Sequence, residues 1–149
     1  MVRLNLPSYD YKLRKADGKV WIFDVIRKKF VVLTPEEWVR QHFIHYMTGE
    51  LKYPRSLIRI EGGLVYNQLQ KRSDILLFDR SGNPWMIVEC KEPGFRLSQQ
   101  VVEQVAAYNA THRAKYISVS NGLMHLCVFT DWEKNETRLL EAMPVYPKD

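Results

Sequence analysis

Apolar and polar positions alternate through residues 11–33, YKLRKADGKVWIFDVIRKKFVVL, and predict strand, turn, strand, with a further β run from Lys29 to Leu33. Asp17-Gly18 is the turn signal, because both residues tolerate positive φ. The pattern then changes period. Thr34-Pro35-Glu36-Glu37-Trp38 carries an N-cap threonine, a proline in the first helical turn and an acid three residues after the cap, which is a capping box. A helix is predicted from there to about Tyr46–Gly49, with Val39, Phe43, Tyr46 and Met47 as its inward stripe.

Three strands follow: LIRIEGGLVY at 57–66, SDILLFD at 73–79 and PWMIVECK at 84–91. Gly62-Gly63 suggests a bulge in the first, and Arg80-Ser81-Gly82-Asn83 a short turn between the other two. Pro93-Gly94 breaks the sheet, and a second helix is predicted from Ser98 to about His112 with Val101, Val105 and Ala106 along one side. KYISVSNGLMHLCVFT gives two strands about Asn121-Gly122, expected as a type I′ turn; a last strand includes Thr137–Leu140, and PVYPKD reads as a tail. The order predicts an α+β or mixed α/β fold, one central mixed sheet flanked by helices, with residues 1–33 as a β-hairpin extension packed on a core of residues 34–149.

Composition refines this picture modestly. The chain has 149 residues, enough for one domain with a sizeable core, and no apolar run near the ~20 residues that span a bilayer. Cys90 and Cys127 lie in apolar strand-like runs and are expected as reduced thiols in a cytoplasm. The net charge of +5 resides wholly in residues 1–55, including Arg27-Lys28-Lys29, while residues 56–149 are balanced. That asymmetry points mildly to a polyanionic partner.

The chemistry is concentrated in IVECKE, residues 87–92. In a strand, Glu89 and Lys91 share a face while Cys90 turns the other way. If the 80–83 hairpin centres between Ser81 and Gly82, Asp74 stands opposite Glu89; centred one residue later, it stands opposite Lys91. Both registers gather Asp74, Glu89 and Lys91 on one face. Paired carboxylates call for a cation, and Mg²⁺ suits one or two carboxylates with several waters. A solvated surface ion pair would contribute only ~0.2–1 kcal/mol, yet these acids directly flank the apolar runs ILLF and WMIV, where a charge needs a reason.

Asp74, Glu89-Cys90-Lys91 and Gln104-Val105-Ala106-Ala107-Tyr108, in this order, resemble the PD-(D/E)XK nuclease superfamily. Within it, TPEEWVRQHF, RSDILLFD, IVECKEP, QVAAY and SNG are most similar to the N-terminal nuclease domain of the R subunit of type I restriction enzymes, across about residues 34–130. The resemblance implies a restriction-endonuclease-like core and a Mg²⁺-dependent endonuclease acting on DNA, with Mn²⁺ as a substitute metal. It implies Asp74, Glu89 and the Cys90 backbone carbonyl as metal ligands, Lys91 as the catalytic lysine, and Glu37 as the helix acid that orders water. Gln104 and Tyr108 would pack beside the site and contact nucleic acid; outside the resemblance, the basic Arg27, Lys28 and Lys29 of the N-terminal hairpin are expected to hold its phosphate backbone. Ser73 stands where the superfamily name has proline. A homodimer or restriction-type partner subunits are the expected associations. The alternative is a catalytically silent nucleic-acid-binding or assembly module on the same fold. His42 and His45 lack acidic or cysteine neighbours in sequence for a zinc site, and Trp21, Trp38, Trp85 and Trp132 are expected in core or edge packing rather than as base-stacking platforms.

Overall fold

The computed structural model describes residues 1–60 and 75–148. Asp74, Ser73 and the Gly62-Gly63 pair therefore lie outside the described residues. Among the described residues there are two sheets and two long helices. The first sheet is antiparallel, from β1 (Leu13–Ala16), β2 (Lys19–Asp24) and β3 (Lys29–Val32). Asp17 and Gly18 both adopt positive φ, 54° and 70°, as the turn chemistry requires.

The second sheet has six strands in chain order: β4 (Ile58–Ile60), β5 (Ile75–Phe78), β6 (Pro84–Cys90), β7 (Tyr116–Ser120), β8 (His125–Asp131) and β9 (Glu136–Leu140). Among the described residues, only β6 and β7 run parallel, and helix α2 (Gln99–His112) is the crossover such a pair needs. β5 and β6 hold the register that centres between Ser81 and Gly82, with Ile75 opposite Val88 and Leu76 opposite Ile87. The device is less simple than a short turn. Five residues, Asp79 to Asn83, form the loop, and Trp85 is an extra residue bulged from β6; the odd loop and the bulge cancel. Asp79 Oδ1 accepts the N–H groups of Ser81 and Asn83, and Gly82 takes φ 89°.

Helix α1 (Pro35–His45) starts at Thr34, whose Oγ1 accepts the Glu37 N–H at 3.0 Å, and passes into one π turn over Tyr46–Glu50. The expected single inward stripe is too narrow: Glu37 through Ile44 are all buried. The N-terminal segment covers the side that an ordinary amphipathic helix would give to water, with the Trp38 indole donating to the Val2 carbonyl at 2.7 Å. The main core lies between this helix and one face of the large sheet, built on Val39, Phe43, Ile44, Met47, Ile75, Leu77, Met86, Val88 and Cys90. On the other face, α2 packs Val101 and Val105 over Leu76, Ile87, Ile117 and Val119.

The terminal PVYPKD is not a loose tail. Tyr146 is buried, its hydroxyl donates to the Phe78 carbonyl at 2.7 Å, and the Tyr53 hydroxyl donates to Pro144 at 2.6 Å. The turn between β7 and β8 also differs from expectation. Its positive φ falls on Gly122 alone, and Asn121 pairs with Met124 at the strand ends, so the central residues are Gly122 and Leu123. Asn121 uses its side chain to shape this turn instead of standing in it. No helix among the described residues is long and apolar enough to cross a membrane.

Candidate active site

β6 lies inside the large sheet, and its apolar run ends in Glu89. Parity puts Glu89 on the face of Ile87, beside Val119 of β7, while the Cys90 side chain enters the main core with no exposure. Lys91 follows the strand, but its backbone N–H still bonds the Ser120 carbonyl at 2.8 Å, so the parallel pairing carries one residue further. The Lys91 ammonium lies 3.3 Å from Glu89 Oε1, with 28% and 16% of the two side chains exposed. Neither charge has left water fully, and both are reachable from solvent.

A support sits beneath the lysine. Its ammonium stands 5.1 Å from the centre of the Phe95 ring, close enough for a cation–π attraction. The Phe95 N–H bonds the Glu92 carbonyl, and the Phe95 carbonyl accepts the Asn121 amide at 2.8 Å. Asn121 Oδ1 in turn accepts the N–H groups of Leu123 and Met124. Ser120 Oγ bonds the Gly122 N–H and the His125 ring. The SNG triplet thus holds both the backbone of Lys91 and the loop under it. Sequence reasoning treated Asn121-Gly122 as a turn only; the available signal was an asparagine at the C-terminal end of the strand paired with the E-x-K strand.

Glu37 belongs to a different grouping. Its carboxylate accepts from Arg40 at 2.6 Å and Gln41 at 2.8 Å, with Arg27 at 3.4 Å, and none of its partners is Glu89 or Lys91. Instead of closing the capping box on Thr34, it fastens α1 to the turn between β2 and β3. Asp24 completes this seam, fully buried and accepting the backbone N–H groups of Ile26 and Arg27 and the Arg27 guanidinium. Burial alone would raise the Asp24 pKa, but the hydrogen bonds and charge of Arg27 hold it below 3.8. Arg27 is therefore committed within the fold, whereas Lys28, at φ 57°, and Lys29 are exposed.

Gln104 and Tyr108 both lie on α2, the helix over the sheet face that bears Glu89. Gln104 is exposed; Tyr108 is half-buried against the smaller core cluster, with its hydroxyl 3.3 Å from His112 Nε2. Among the described residues, no three His, Cys, Asp or Glu side chains are grouped to hold a metal ion. Both cysteines are buried free thiols, and burial raises Cys127 to about 12. Of the tryptophans, Trp38 and Trp85 are core, whereas Trp21 is half-buried outside both core clusters.

Residues 35–144 match the family model of the type I restriction enzyme R protein N terminus. The chain is also similar to a solved fragment described as that of an HsdR subunit of a type I restriction enzyme from Vibrio vulnificus YJ016. That match has 28% identity and a TM-score of 0.38, over 59% of this chain and 16% of that one. The chain thus spans about a sixth of the length of that relative. No curated protein matches it significantly.

Proposed function

Because the chain belongs to the family of type I restriction enzyme R protein N termini, we propose that it is a metal-dependent nuclease of PD-(D/E)XK type that hydrolyses DNA phosphodiester bonds. The observation that carries this reading is the emergence of Glu89 and Lys91 together, 3.3 Å apart, at the end of an otherwise apolar interior strand. A structural role alone would not require a carboxylate and an ammonium there.

The donor chemistry fits a hard cation. Glu89 offers carboxylate oxygen at a solvent-reachable position, while the one thiol nearby, on Cys90, is sealed in the core on the opposite face. Glu89 and Asp74 would hold Mg²⁺, or Mn²⁺ in its place, with the Cys90 carbonyl as a further oxygen. When bound, the ion would acidify water and neutralise phosphate charge. Lys91 orients the attacking water by hydrogen bonding and places positive charge beside the phosphate oxygens as negative charge grows there in the transition state. Glu37, the helix acid of the resemblance, is held by Arg40, Gln41 and Arg27 and enters this reading as an anchor of α1 rather than as a ligand of the ion or its water. Gln104 and Tyr108 approach the DNA from α2, and the exposed Lys28 and Lys29 meet its backbone. Partner subunits of the restriction type, or a second copy, and a cytoplasmic setting belong to the same reading.

One observation favours a second reading, a catalytically silent nucleic-acid-binding or assembly module: the Glu89–Lys91 contact satisfies both charges without a metal. Cleavage of linear, circular and branched DNA in Mg²⁺ or Mn²⁺ separates the two. The nuclease reading expects Glu89→Ala and Lys91→Ala each to lower the rate by at least about a hundredfold. Undiminished cleavage by both variants would reject the assigned site. Absence of cleavage by the unaltered chain, with no Mn²⁺ uptake by calorimetry, would favour the module.

A further inference from the structure

The first sheet has two unlike faces. Ile22 and Val31 face inward and join the main core, and Asp24 lies on the same side, in the seam with α1. The opposite face is formed by Arg14, Lys19, Trp21, Phe23, Phe30 and Val32, with Lys12 beside Phe23. Among the described residues, its aromatic side chains belong to neither core cluster, and its strand positions carry two cations, Arg14 and Lys19, and no carboxylate, with Lys12 just before β1 as a third cation. Trp21, Phe23 and Phe30 are half-buried, while Lys12, Arg14 and Lys19 are exposed.

The cations and rings are interleaved. The Arg14 guanidinium stacks over Phe30 at 4.4 Å, Lys12 lies 5.8 Å from the Phe23 centroid, and Phe23 meets Phe30 edge to face at 5.3 Å. The Trp21 indole is fixed by its bond to the Ala16 carbonyl at 3.0 Å. Such a surface offers flat π faces and one guanidinium plane, that of Arg14, with positive charge beside the rings.

We propose that this outer face is a binding platform for an unpaired nucleic-acid strand, whose bases stack on Trp21, Phe23 and the Arg14–Phe30 pair while Lys12, Arg14 and Lys19 contact its phosphates. A duplex keeps its base faces stacked internally and could use only the cations; an unpaired strand can use both. The charge is complementary to a polyanion, and rings interleaved with cations supply the two contacts that sequence-tolerant single-strand binding uses, stacking and phosphate attraction. The inference rests on the reading above only in taking nucleic acid as the partner, and it assigns the substrate an unpaired segment.

The test uses the full chain without divalent metal, following a dye-labelled oligothymidylate and a hairpin duplex by fluorescence anisotropy. The platform predicts tighter binding of the single strand. Phe30→Ala and Arg14→Ser should each weaken that binding about 5- to 50-fold while changing duplex binding less than about twofold. Circular dichroism checks the fold. Trp21→Phe keeps a stacking ring; it should retain binding yet reduce the strand-induced quenching of tryptophan fluorescence. Equal binding of both forms, binding of neither, or quenching undiminished in Trp21→Phe would overturn the proposal. Loss of strand preference with intact cleavage defeats the platform alone; strand binding without cleavage defeats the nuclease reading alone.

Discussion

Asn121 shows how much one side chain can organise. Its amide donates to the Phe95 carbonyl and its oxygen accepts two turn N–H groups, so it fixes the loop under Lys91 and the β7–β8 turn together. Asn121→Asp keeps the acceptor and loses the donor. Under the proposed reading, this change should lower kcat about tenfold or more through misplacement of Lys91, with KM for DNA nearly unchanged. Steady-state kinetics would check it; an effect confined to KM would place Asn121 in binding instead. At this scale the E-x-K pair was legible because strand parity is a local rule. Asn121 was not, since its role depends on a partner 26 residues earlier that no local pattern announces. Glu37 was half legible: the cap predicted its backbone bond to Thr34, but the destination of its carboxylate depends on Arg27, Arg40 and Gln41.

At the scale of elements, turn chemistry and period predicted most of the order, including the Asp17-Gly18 hairpin, the start of α1 and the extent of α2. The β5–β6 register was also readable, though the odd loop and the Trp85 bulge that produce it were not. The β7–β8 turn shows why such details escape. Asn-Gly usually marks the centre of a turn, but a Cβ at Gly122 would lie 2.7 Å from Leu4 and 3.0 Å from Val39, so the glycine is required here for close approach as well as for its φ of 85°. Gly122→Ala should therefore cost about 2 kcal/mol, from the left-handed backbone and from displacement of the N-terminal segment. Thermal unfolding should register it as a fall in Tm of roughly 4–8 °C.

Across the whole molecule, the N-terminal third is integral to the core, and its charged seam gives stability a dependence on pH. Burial holds His42 below its ordinary 6.5; His45 is held below it by burial together with Arg55 and His42. The unfolded chain therefore binds these protons more readily, so the stability they contribute is complete above 6.5 and is lost as pH falls from there toward the folded values. Asp24, held below 3.8, contributes stability above that value which is lost as pH falls through its lower folded pKa. Melting measured from about pH 8 to about pH 3 should show both stages, and His42→Gln with His45→Gln should flatten the first. Asn5 adds a consequence of another kind. Its N–H bonds the Gly122 carbonyl while its own carbonyl meets the His125 ring, across 120 residues of chain. During synthesis Asn5 emerges long before its partners, and contacts of such separation form slowly. A half-made chain thus has neither Asn121 to hold the loop under Lys91 nor the strap that steadies the β7–β8 turn, and under the proposed reading a ribosome-bound fragment ending before Ser120 should cleave DNA more slowly than the full chain.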